Sequence, residues 1–192
     1  MSRASACMSA AEPGKTMPIV DDVARMNAQQ VDRLFCVRTV DDIKEVLKLA
    51  RKHGKAVSMR GTRHSMGGHT IAARGYVIDL MRLNSWSFDP SAETVTTGPG
   101  AMWADLIVGL NEWGYSPRTM QSYSTFSVGG SLAVNAHGIT TDHCMAEGVV
   151  NFTLIRWDGS EVVCSREAPG AAGELFGLAL GGYGVNDREA RT

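Results

Sequence analysis

Residues 60–70 read R-G-T-R-H-S-M-G-G-H-T and directly follow the run Ala56-Val57-Ser58-Met59. Glycines let backbone N–H groups turn toward a bound phosphate, and neighbouring cations offset its charge. The loop therefore suits an anion, a phosphate-bearing cofactor first among them. The same residues also suit a solvated surface turn. A second candidate segment spans residues 118–138, R-T-M-Q-S-Y-S-T-F-S-V-G-G-S-L-A-V-N-A-H-G. Its glycines and hydroxyls permit close approach of a ligand, and the N–H groups opening a short helix after Gly130 favour a phosphate. A tight crossing of backbones in a core would use the same small residues.

Other chemistries fit less well. Gly98-x-Gly100 has Trp103 where a dinucleotide fingerprint needs its third glycine, and no G-K-[ST] phosphate loop occurs. Gly129-Gly130-Ser131 lacks the frame of a serine-hydrolase elbow. His64, His69, His137, Asp142, His143 and Cys144 are the candidate metal ligands. They lack helical i, i+4 spacing and paired cysteines, so no metal is expected.

The elements that must position these loops follow from periodicity. Leu34-Phe35-Cys36-Val37 reads as a strand, and Thr39 caps a helix with Asp42 answering from the third helical position. Ile43, Val46, Leu47 and Ala50 form its apolar face, and Gly54 stops it. Residues 56–59 form the next strand, so the order is strand, helix, strand, glycine loop, which implies parallel strands joined by a crossover. That order puts the loop at the carboxyl end of a strand, where open α/β sheets place ligands. Residues 76–80 supply a third strand.

Beyond it, residues 86–88 and 94–96 alternate around Asp89-Pro90 as an antiparallel pair. Residues 102–113 form a helix with Trp103, Leu106, Ile107 and Leu110 on one face. Residues 149–157 and 161–164 form a hairpin around Asp158-Gly159, and residues 174–180 a short helix. The expected fold class is α+β, with a small parallel β-α-β subdomain at about residues 29–85 and a second, mostly antiparallel subdomain flanked by helices at about 86–185. Residues 1–28 read as a flexible leader without chemistry, with a short helix beginning at Asp21-Asp22, and residues 186–192 as a polar tail.

Composition narrows the partners. A chain of 192 residues with a formal charge of -1 and 44% apolar residues has enough material for a core and no basic surplus for nucleic acid. The four cysteines, Cys7, Cys36, Cys144 and Cys164, are far apart and form no C-x-x-C pair, so four free thiols in a reducing compartment are expected. No apolar run reaches the roughly 20 residues of a membrane span, and no secretory h-region precedes Glu12-Pro13-Gly14. The expected location is cytoplasmic or organellar.

Four ordered motifs then resemble one family: R-G-T-R-H-S-M-G-G at 60–68, T-T-G-P-G-A-M-W at 96–103, S-V-G-G-S-L-A-V-N-A-H-G at 127–138 and L-F-G-L-A-L-G-G-Y-G at 175–184. Together they resemble the flavin-binding, PCMH-type domain of the vanillyl-alcohol oxidase/p-cresol methylhydroxylase family of FAD-dependent oxidoreductases, over about residues 35–184. The stretch Asp158 to Ser165 is similar to the cytokinin-dehydrogenase and sugar-oxidase branches. The resemblance implies FAD as cofactor and a small-molecule substrate. It implies that His64, in the H-S pair, is the covalent attachment point for the flavin 8α-methyl group. Arg60, Gly61, Thr62, Arg63 and Ser65 would cradle the pyrophosphate with Gly67 and Gly68, while Ser122, Ser127, Gly129, Gly130 and His137 would line the flavin and its phosphates. Residues 125–127 contain no cysteine for a second covalent link, so a single link is implied.

The match to the family pattern stops after Val185, where Asn-Asp-Arg-Glu-Ala-Arg-Thr follows. The expectation is a truncated chain that lacks the substrate region and turns over little by itself; a non-catalytic flavin-binding fragment is the alternative.

Overall fold

The structure, a computed structural model, describes residues 8–9, 17–139 and 142–184. It divides into two compact units, Met1–Leu83 and Asn84–Thr192. The expected polar tail lies outside the described residues.

In the first unit, α1 (Val40–His53) is fixed at both ends by its sequence. The Asp42 N–H donates to Thr39 Oγ1 at 3.1 Å and the Thr39 N–H donates to Asp42 Oδ2 at 2.9 Å, a reciprocal cap. Gly54 ends the helix in the left-handed region at φ +60°, which a side chain would resist. Ile43, Val46, Leu47 and Ala50 are buried, and burial of each larger side chain contributes roughly 2 kcal/mol.

The sheet beside it comprises β1 (Met8–Ser9), β4 (Arg33–Cys36), β6 (Tyr76–Asp79) and β5 (Val57–Arg60), in that spatial order. Strands β4 and β5 both pair parallel with β6, in registers Arg33↔Tyr76 and Val57↔Tyr76, so the third strand inserts between the two that flank α1. Tyr76, Val77 and Ile78 are all buried, which makes β6 the strand suited to the centre of a parallel sheet.

Three expectations are corrected here. Residues 17–28 are not a leader without contacts, and no helix begins at Asp21-Asp22. Strand β2 (Ile19–Val20) pairs antiparallel with β3 (Gln29–Gln30), and Val20, Val31 and Val77 form a buried cluster. Between β2 and β3 the chain turns on its own carboxylates, with Asp21 Oδ1 accepting from the N–H groups of Asp22 and Asn27. These short polar side chains compete with a helix for backbone donors. Nor are all the cysteines free: Cys144 and Cys164 are, but Cys36 is disulfide-bonded. Strand pairing brings distant positions side by side, as β1 and β4 do through Met8↔Phe35, and linear spacing cannot show that.

The second unit begins with an antiparallel pair, β7 (Trp86–Asp89) and β8 (Thr94–Thr97), as expected. Helix α2 (Trp103–Asn111) buries Trp103, Leu106 and Leu110 in a core shared with Ala101, Val128, Ala136 and Met145. A Cβ on Gly109 would stand 2.2 Å from the Trp86 ring, so this helix surrenders a side chain to seat the indole. Helices α3 (Val128–Ala133) and α4 (Met145–Gly148) precede the hairpin of β9 (Asn151–Ile155) and β10 (Glu161–Ser165), and α5 (Ala171–Ala179) follows it. The whole is the mixed α+β arrangement that the periodicity implied. Among the described residues no helix is long and apolar enough to cross a membrane.

Candidate functional site

The 60–70 loop leaves the carboxyl end of β5, and its first residue is already committed. Arg60 Nε donates to Asp79 Oδ2 at 2.8 Å across the β5–β6 pair, with both side chains mostly buried, so Asp79 offsets the Arg60 charge. Arg63 is exposed and sits at φ +65°, a conformation that costs a residue with a Cβ roughly 1 kcal/mol. His64 is half-buried, with Nδ1 3.0 Å from Thr62 Oγ1. Burial lowers its pKa from the ordinary 6.5, which favours the neutral imidazole at neutral pH. Ser65 Oγ lies 3.3 Å from Thr70 Oγ1 and closes the loop from inside. His69 and Met66 are exposed, and Gly67 stands beside the His69 ring, where a Cβ would come within 3.2 Å of Nδ1.

Two residues outside the loop hold its far half, and neither was among the expected site residues. Asp22 Oδ2 accepts from the Gly68 N–H at 2.8 Å, and Asn27 Nδ2 donates both to Asp22 Oδ2 and to the Met66 carbonyl. Gly68 itself is at φ +68°.

The second segment lies in the other unit. Gly129 is a close-approach position: its N–H donates to the Pro99 carbonyl at 2.9 Å, as the Val128 N–H does to the Ala101 carbonyl at 2.8 Å. Two of the N–H groups that open α3 thus serve the packing against residues 99–101. Ser127 is buried, and its carbonyl accepts from both the N–H and Oγ of Ser131. Ser131 Oγ in turn accepts from Trp103 Nε1 at 2.9 Å, which ties α3 to α2. Gly130 is exposed.

Gln121 joins two of the expected residues. Its Oε1 accepts from the N–H and Oγ of Ser122, and its Nε2 lies 3.4 Å from His137 Nε2. His137 Nδ1 is 2.9 Å from the Gly138 carbonyl, which requires the proton on Nδ1 and leaves Nε2 to accept from Gln121. Just upstream, Thr119 is 5% exposed and its Oγ1 has no hydrogen-bond partner among the described residues. A polar lead-in gave no reason to single out either Thr119 or Gln121.

A cavity of about 360 Å³ in the first unit is lined by Met17, Asp32, Arg33, His53, Lys55 and Tyr76. It lies at the amino end of the parallel strands, away from the glycine loop. Among the described residues no three His, Cys, Asp or Glu side chains gather as metal ligands.

Comparison with known proteins agrees with the resemblance, and the family match spans the first three motifs. A family model described as "FAD binding domain" matches residues 31–165. The chain is 28% identical to the L-gulonolactone oxidase of Mus musculus over 149 residues, 77% of this chain and 34% of that protein. It is 26% identical to cytokinin dehydrogenase 2 of Arabidopsis thaliana over 156 residues, 79% of this chain and 30% of the relative. It is also 27% identical to an uncharacterized oxidoreductase of a fasciation locus in Rhodococcoides fascians, over 77% of this chain and 33% of that protein. The chain thus spans about a third of the length of these relatives. A family match across most of the chain, on the same stretch that carries both glycine segments, means that this protein belongs to the FAD binding domain family.

Proposed function

We propose that residues 60–68 hold the FAD pyrophosphate, that His64 is the covalent anchor, and that Ser122, Ser127, Gly129, Gly130 and His137 belong to the flavin-facing surface of the second unit. The observation that carries this is His64: an imidazole kept neutral by burial, in a glycine-rich loop at the carboxyl end of a parallel strand. A neutral imidazole is a nucleophile near physiological pH, and a protonated one is not.

The residues present fit the group. The loop offers an exposed guanidinium from Arg63 and hydroxyls from Thr62 and Ser65, a donor set suited to phosphate oxygens. Thr119 Oγ1, buried without a partner among the described residues, is the kind of atom a bound ligand satisfies. FAD, when bound, supplies two-electron redox chemistry. The chain's own residues bind and orient it, and Asp79 holds Arg60 so that the strand end preceding the loop stays fixed.

The activity proposed for the whole protein is oxidation of a small alcohol, sugar, lactone or amine, in keeping with the lactone oxidase and cytokinin dehydrogenase names of its relatives. The test is acid precipitation of purified protein followed by a visible spectrum. Yellow colour stays with the pellet of the wild type and leaves the pellet of His64→Ala. Colour retained by the His64→Ala pellet would rule out His64 as the link.

A further inference from the structure

The glycine loop is held from behind by a buried carboxylate. Asp22 is 6% exposed and accepts three hydrogen bonds: the Ala24 N–H at 3.0 Å on Oδ1, and the Asn27 Nδ2 and Gly68 N–H groups at 3.1 and 2.8 Å on Oδ2. The Val23 N–H donates to the Ser65 carbonyl at 3.2 Å, and Asn27 Nδ2 to the Met66 carbonyl at 3.0 Å. Four hydrogen bonds tie residues 22–27 to themselves or to residues 65–68 through these two side chains, and a fifth does so through backbone alone. Gly68 takes a left-handed conformation against this support, where a Cβ would stand 3.0 Å from the Asn27 Cβ.

We infer that Asp22 and Asn27 form a positioning clamp that presets residues 65–68 before the cofactor arrives; this rests on the assignment of the loop to FAD. A glycine-rich segment has many conformations to lose on binding, and a loop ordered in advance binds more tightly because that loss has already been met by folding. The clamp also decides which amide does not bind phosphate. The Gly68 N–H donates to the Asp22 carboxylate and so is not offered to an anion.

The geometry makes the carboxylate specific. In an Asp22→Asn chain one oxygen becomes a donor. If that amide replaces Oδ2 it faces the Gly68 N–H and the Asn27 amide, donor against donor; if it replaces Oδ1 the Ala24 N–H loses its acceptor. Either arrangement loosens the turn or the loop.

The experiment is amide hydrogen exchange on the flavin-free chain together with FAD titration, for wild type, Asp22→Asn, Asn27→Ala and Thr39→Ala. Thr39→Ala weakens the α1 cap without touching the loop and serves as the control for general loss of stability. Expected are faster exchange at residues 65–68 in Asp22→Asn, unchanged exchange in β5 and β6, and FAD affinity lowered by about tenfold or more, with affinity unchanged in Thr39→Ala. Asn27→Ala, which keeps the buried carboxylate, shows a smaller shift in the same direction and stands in if Asp22→Asn does not fold. Exchange at residues 65–68 as slow as wild type in either clamp variant overturns the inference, as does an equal loss of affinity in Thr39→Ala. Faster exchange with unchanged FAD affinity leaves the clamp standing and overturns the assignment of the loop to FAD.

Discussion

Gly129 lies so close to Pro99 that a Cβ built on it would stand 2.6 Å from the proline Cβ and 2.9 Å from its carbonyl oxygen. The proline ring and its carbonyl are not flexible side-chain ends, so the contact has no easy relief. Gly129 of the second segment is therefore a close crossing with Pro99 first, whatever ligand it also faces. Gly129→Ala is expected to destabilise the chain by about 1–3 kcal/mol, the usual range for overpacking. Urea denaturation measures it; a midpoint equal to wild type means the crossing opens without strain.

Thr119 separates stability from binding. Its buried hydroxyl has no partner among the described residues, so Thr119→Val removes an unsatisfied polar atom at nearly constant volume. The flavin-free chain should melt at the same temperature or higher. FAD affinity should fall by roughly three- to tenfold if the cofactor supplies the missing partner. A variant that melts lower would show that the hydroxyl already has a structural role.

The pH dependence of flavin attachment follows from His64. Burial lowers its pKa below the ordinary 6.5, so the unfolded chain binds the proton more readily than the folded one. Stability from this group is fully present above 6.5 and is lost as pH falls through the folded value. The neutral, nucleophilic fraction rises over the same window. Covalent flavin yield at fixed time should climb with pH and level off before neutrality, and His64→Gln should remove both the climb and the covalent colour. A yield that still rises steeply above neutral pH would place the titrating group elsewhere.

The α1 cap gives a prediction independent of the cofactor. Hydrogen bonds from the Arg38 and Thr39 N–H groups hold the Asp42 carboxyl below the ordinary 3.8. Its contribution is present above 3.8 and is lost as pH falls through the folded value. Thr39→Ala should cost about 1 kcal/mol at neutral pH. Differential melting of the two proteins checks it, and the gap should narrow in strong acid.

How much of this was legible beforehand depends on whether a feature is local. Thr39, Asp42 and Gly54 announce a helix because a cap needs partners only three or four residues away. The Asp158-Gly159 hairpin and the α2 face are read from periods of two and 3.6 residues for the same reason. The four motifs at residues 60–68, 96–103, 127–138 and 175–184 carry the resemblance to the flavin family.

Tertiary structure alone decided the rest, because it rests on contacts between residues far apart in the chain. It placed β6 between β4 and β5, since only pairing reveals which strand is central. It turned Asp22 and Asn27 from an unremarked leader into the support of Gly68, 46 residues on from Asp22. It placed Cys36 in a disulfide and gave Gly129 to Pro99. A side chain's type and local spacing state what chemistry it could do; which donor meets which acceptor depends on how the chain returns on itself.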